Sequence, residues 1–157
     1  METGARKLGV AAAPTRRNAP NCRASARCLT GCPHSAKQSM LVSYLPYAEK
    51  KGATILANAK AERVLFEGDR AVAVVGRGFR VHARRAVITA ASAIQTPGLL
   101  ARSGVRSAHL GAHFQAHPGC AMIGIFNEPV RMWTGATQGF DADEHRRLGR
   151  FKIETIS

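Results

Sequence analysis

The sequence is short of acidic residues and aromatics and has no long apolar run. Its 157 residues hold 10 Asp plus Glu against 23 Lys plus Arg, a formal charge of +13. An excess of that size raises nucleic acid or an anionic surface as a partner. Its distribution argues against nucleic acid. The basic residues come as singlets and pairs such as Arg16-Arg17 and Arg84-Arg85, and only Phe66 and Phe79 lie near them, so the stacking platform of a single-strand binder is missing. No apolar run approaches the roughly 18 residues of a membrane span, and the first ten residues carry Arg6 and Lys7 but no apolar core for a secretory signal. The expectation is a cytoplasmic protein with no membrane span. A G-x-x-x-x-G-K loop and a G-x-S-x-G elbow are also lacking, which removes the common signals for nucleotide hydrolases and serine esterases. Gly76-Arg77-Gly78 has G-x-G spacing, but a β-prone run follows it where a phosphate loop needs a helix, so it reads as a hairpin turn.

What is present is a middle region rich in short β-prone runs. Thr54-Ile55-Leu56, Arg63-Val64-Leu65-Phe66, Ala71-Val72-Ala73-Val74-Val75, Phe79-Arg80-Val81-His82 and Ala86-Val87-Ile88-Thr89-Ala90 follow one another, with Glu67-Gly68-Asp69 and Gly76-Arg77-Gly78 as turns. Connections this short suit antiparallel hairpins, so a meander is expected. The run at 86–90 is almost wholly apolar and is expected to be a strand covered on both faces, the most buried segment of the chain. Residues 1–35 show neither helical nor strand periodicity and read as a loop. Residues 35–51 carry Met40, Leu41, Tyr44, Leu45 and Ala48 at helical spacing between Ser35 as N-cap and Gly52 as terminator, with Pro46 expected to kink or divide the helix. A second helix is expected to start near Thr96, with Pro97 in its first turn, and to stop at Gly104. From Gly111 onward short apolar runs alternate with Gly, Pro and charge.

Two clusters invite a metal. Cys22, Cys28 and Cys32 fall within eleven residues, and Cys28-Leu-Thr-Gly-Cys32-Pro33 matches the end of a ferredoxin run. The further cysteines upstream that such a site needs are missing, and inert or occasionally paired loop thiols are the favoured reading. His109, His113 and His117 recur every fourth residue, but Gly111 interrupts the run and no Glu lies in it. Surface or structural histidines account for them, and no metal ligand and no catalytic residue is assigned. The rival that keeps these residues in play is a small basic Cys/His metal-binding module contacting nucleic acid.

Two longer stretches point elsewhere. Gly31-Cys-Pro-His-Ser-Ala-Lys37-Gln-Ser-Met-Leu-Val-Ser-Tyr-Leu-Pro46 and Ala90-Ala-Ser-Ala-Ile-Gln-Thr-Pro-Gly-Leu-Leu-Ala-Arg-Ser-Gly104-Val resemble the glucose-methanol-choline (GMC) oxidoreductases. With His117-Pro118 and Trp133-Thr-Gly135, the resemblance is nearest the bacterial branch of long-chain alcohol and cholesterol oxidases, and it covers the chain from about Asn18. It implies an α/β (α+β) fold: a partial FAD-binding, Rossmann-like domain with an antiparallel meander over residues 1–110, then the start of a substrate domain over 111–157. It implies FAD as cofactor and the CH-OH group of an alcohol as hydride donor. Carried over residue by residue, it places Ala61 near the adenine end of FAD and Ala91 with Ser92 at the turn that approaches the cofactor. Ser92 stands where the family usually has Gly, which implies a side chain at a close backbone approach, or a strained φ. The family's G-x-G-x-x-G loop and C-terminal catalytic His have no counterpart here. The expectation is an internal portion of such an enzyme, inactive alone, with a complementary chain and a decayed reading frame as the two open accounts of its missing parts.

Overall fold

The computed structural model describes residues 2–131, 133–147 and 149–156. In chain order the elements are α1 (Glu2–Lys7), β1 (Ala13–Pro14), α2 (Tyr44–Lys50), β2 (Ala61–Glu67), β3 (Arg70–Gly76), β4 (Phe79–His82), α3 (Ser92–Arg102), β5 (Phe140–Ala142), α4 (Glu144–Arg147) and β6 (Ile153–Glu154). Helix and antiparallel sheet are thus mixed, in two compact units: Ile55–Met122, and Met1–Thr54 together with Ile123–Ser157.

The Ile55–Met122 unit is the expected meander with a helix on it. β2, β3 and β4 form one antiparallel sheet in that order, with Val64 opposite Val74 and Val75 opposite Arg80. The β-branched residues of β3 sit between two partners, and Ala73 is fully buried. Gly76 has no room for a side chain, because a Cβ there would collide with the Lys60 carbonyl and the Phe79 ring. α3 lays Leu99, 7% exposed, into the unit and anchors to β2 through Ser103. The Ser103 hydroxyl accepts the Val64 N–H at 2.8 Å and donates to the Leu99 carbonyl at 2.7 Å. β2 is an edge strand, so this bond satisfies an outward amide that burial would otherwise orphan.

α3 begins at Ser92, one turn before the expected Thr96, so Pro97 is inside the helix. The Thr96 hydroxyl accepts the Ala91 N–H at 3.1 Å and so ties down the chain entering the helix. At the other end Gly104, with φ 92°, returns its N–H to the Ala101 carbonyl while Val105 bonds to Leu100. That paired closure needs a left-handed residue, which is why the Ser-Gly pair ends the helix.

Two expected strands are corrected. Residues 54–56 and 86–90 carry no strand, and Ile88 is 90% exposed, so the segment expected to be most buried is open. A strand covered on both faces needs neighbours on both sides, and no described strand pairs with this one.

In the other unit β1, β5 and β6 form a small antiparallel sheet in the order β1-β5-β6. The Thr155 hydroxyl accepts the N–H groups of Gly139 and Phe140 at 3.3 and 3.1 Å. Lys152 lies between Asp141 and Glu154, at 3.0 and 2.6 Å. The N-terminal stretch is therefore not all loop, since α1 and β1 lie in it. The helix expected over 35–51 shrinks to α2, with turns before it. Pro46 does not kink it: it occupies the first turn, where backbone N–H groups have no partner within the helix in any case.

Candidate functional site

The three residues singled out for the cofactor all lie in the Ile55–Met122 unit. Ala61, half-buried, opens β2 opposite Gly76. Ala91, half-buried, precedes the first residue of α3, and Ser92 is that first residue, exposed, with φ 71°. A positive φ costs a residue with a Cβ roughly 1–2 kcal/mol, so the strain read from the sequence is present in the backbone. The Ser92 hydroxyl accepts the Gln95 N–H at 3.3 Å, an exposed bond within the first turn. No acidic residue occupies that turn, while Arg102 lies in the last. The helix therefore offers its positive end, with free N–H groups, to an anionic partner.

The sequence of this helix and its serine-glycine ending belong to the second of the two stretches, 31–46 and 90–105, on which the resemblance rested. The profile of the GMC oxidoreductases matches residues 1–119. The chain belongs to the GMC oxidoreductase family. Among its GMC relatives is an uncharacterized GMC-type oxidoreductase of Mycobacterium tuberculosis, 37% identical over 165 residues covering 98% of this chain and 25% of the relative. An uncharacterized GMC-type oxidoreductase of Sinorhizobium fredii is 33% identical over 83% of this chain and 27% of its own length. A long-chain-alcohol oxidase of Arabidopsis thaliana is 27% identical over 86% of this chain and 20% of its own length. The chain thus spans about a quarter of these GMC relatives. No solved structure matches it significantly.

The metal clusters did not assemble. Among the described residues no group of three or more His, Cys, Asp or Glu side chains could hold a metal ion. His109 Nδ1 and His113 Nε2 meet at 3.0 Å, their rings 5.2 Å apart, while His117 lies in an exposed irregular stretch. Nor is any described helix long and apolar enough to cross a membrane.

A second site, absent from the sequence reading, lies wholly within the Met1–Thr54 and Ile123–Ser157 unit. Residues 16–38 fold over residues 135–138, joined by the Ala26 N–H to the Gly135 carbonyl at 2.9 Å. They enclose a cavity of about 500 Å³. Cys22, Cys28 and Cys32, all half-buried, line it. The Ala24 N–H reaches the Cys22 sulfur at 3.4 Å and Arg17 Nη1 at 3.6 Å. These donors, the backbone one foremost, hold the Cys22 thiol below its ordinary range. The N–H groups of Lys37 and His34, and less strongly that of Ala36, lower the Cys32 thiol likewise. The signals in the sequence were Arg17 five residues before Cys22 and, separately, the Gly31-Cys32-Pro33 run, and they carry information only once the loop is folded.

Proposed function

We propose that this chain is part of an FAD-dependent oxidoreductase that oxidises the CH-OH group of an alcohol. The supporting observation is the head of α3 in a chain whose residues 1–119 match the GMC oxidoreductases. Its backbone holds the left-handed conformation at Ser92, its N–H groups are bare of carboxylates, and the Ser92 hydroxyl accepts the Gln95 N–H. Backbone there is open to a negatively charged cofactor, which is what binding FAD requires. In this reading Ala91 and Ser92 receive FAD at the turn and Ala61 lies toward its adenine end. FAD supplies the hydride acceptor. This chain's contribution is to bind and orient it, and no residue here is assigned as base. Residues 1–110 belong to a Rossmann-like FAD-binding domain and 111–157 begin the substrate domain. The alcohol reading draws support from relatives named as a long-chain-alcohol oxidase and an oxygen-dependent choline dehydrogenase.

The chain is proposed to be inactive by itself. Ile88, Ile94, Met122, Ile123 and Ile125 are each more than two thirds exposed. Apolar residues in such numbers, in a chain spanning a quarter of its relatives, call for further protein to cover them. Titration of FAD with the chain, followed by flavin fluorescence, tests the reading. Quenching should saturate, with tighter binding for Ser92→Gly and weaker for Ser92→Val. No saturable binding by the parent or by Ser92→Gly would refute the assignment.

A further inference from the structure

We propose that the cavity under residues 16–38 is a thiol-exchange site, where Cys22 and Cys32 react with an anionic, carboxylate-bearing low-molecular-weight disulfide and close into a disulfide with each other. The inference does not depend on the flavin reading. The cavity has the volume of a small-molecule site, and both sulfurs line it. Arg16, Arg17, Arg23 and Lys37 line it too, with no Asp or Glu among the lining residues, so its field selects anions. Leu29 and Ile156 supply apolar wall. A thiol buried as inert packing would be pushed toward its protonated form, whereas these two are surrounded by donors that favour thiolate.

The exchange balances in two steps. The Cys22 thiolate attacks one sulfur of R–S–S–R, forming the Cys22–S–S–R bond and expelling RS⁻, which takes a proton from solvent. The Cys32 thiolate then attacks the Cys22 sulfur, the protein disulfide forms, and the second RS⁻ leaves and is protonated. Two protein thiols are oxidised to one disulfide while one small disulfide is reduced to two thiols.

The reduced full chain, incubated in parallel with oxidised glutathione and with neutral bis(2-hydroxyethyl) disulfide, tests this by mass spectrometry and peptide mapping. The expected first product is a mixed disulfide on Cys22, followed by a Cys22–Cys32 bridge. Cys32→Ser should trap the mixed disulfide, and Cys120→Ser should change nothing. A gain in thiolate fraction is partly offset in rate, because nucleophilicity falls with basicity. Arg17→Gln should therefore slow the glutathione reaction more than the neutral one, while Arg17→Lys keeps most of the rate. Equal reaction of all four cysteines, a bridge to Cys28 in place of Cys32, or a faster neutral reagent would overturn the proposal.

Discussion

Ser103→Ala removes a single oxygen with two partners, and the two losses are unequal. The Leu99 carbonyl keeps a second donor, the Ser103 backbone N–H at 3.0 Å. The Val64 N–H loses its acceptor at 2.8 Å, on a residue only 2% exposed. Water has little access to replace the hydroxyl there, so the cost is that of a buried unpaired donor, about 1–3 kcal/mol. Each 1.4 kcal/mol is a factor of ten. If exchange at Val64 runs through opening of this contact, its amide should exchange about 5- to 140-fold faster in the variant. Hydrogen exchange on the isotopically labelled chain reads this directly, with the β2–β3 amides as internal reference. Ser103→Thr keeps the hydroxyl and should retain most of the protection. Unchanged exchange at Val64 in the alanine variant, with the rest of β2 also unchanged, would show that the hydroxyl does not hold this amide.

Further outcomes follow from the same reasoning. Ser92→Gly relieves about 1–2 kcal/mol of backbone strain and gives up a weak exposed hydrogen bond of about 0.5–1 kcal/mol, so urea unfolding should show a midpoint equal to or above the parent's. Ser92→Val should lower it, because a β-branched residue resists positive φ most. Gly76→Ala should lose roughly 1–3 kcal/mol by overpacking, visible as a lower melting temperature, since its Cβ meets backbone as well as the Phe79 ring. Glu154 first, then Asp141, hold the Lys152 ammonium above its ordinary value of 10.5. A cation whose pKa is raised on folding stabilises below its unfolded value and stops doing so as the pH climbs through the folded one. Lys152→Met should therefore be less stable than the parent at pH 8, and the gap should narrow above about pH 10.5, as denaturation at several pH values would show.

How much could be read from the residues alone depended on how local the determining interaction was. β2, β3 and β4 were legible because each turn, Gly68-Asp69 and Arg77-Gly78, joins neighbours in sequence and the strands between are β-branched. The endings of both longer helices were legible for the same reason, since Gly52 and Gly104 close them with bonds spanning six residues. Residues 86–90 were misread because apolar character reports a need for cover, not the presence of a partner. The start of α3 was misplaced because Pro97 marks a helix start in the abstract, while Ser92 and Thr96 tie the chain one turn earlier. At the candidate site the strain at Ser92 was foreseen from its replacement of Gly. The Cys22–Arg17 pairing was not, because it depends on a loop with Asn21, Ala24 and Ala26 at positive φ, which no periodicity announces.

The meander has a consequence for the order of events during synthesis. Its strands pair only across two-residue turns, and hairpins of that kind close in about 1–10 μs. Ser103 lies about 20 residues beyond His82, so at 5–20 residues per second it leaves the ribosome roughly one to four seconds later. Hairpin closure is therefore faster than the arrival of α3, and the Ser103–Val64 bond can form only after the strands have had time to pair.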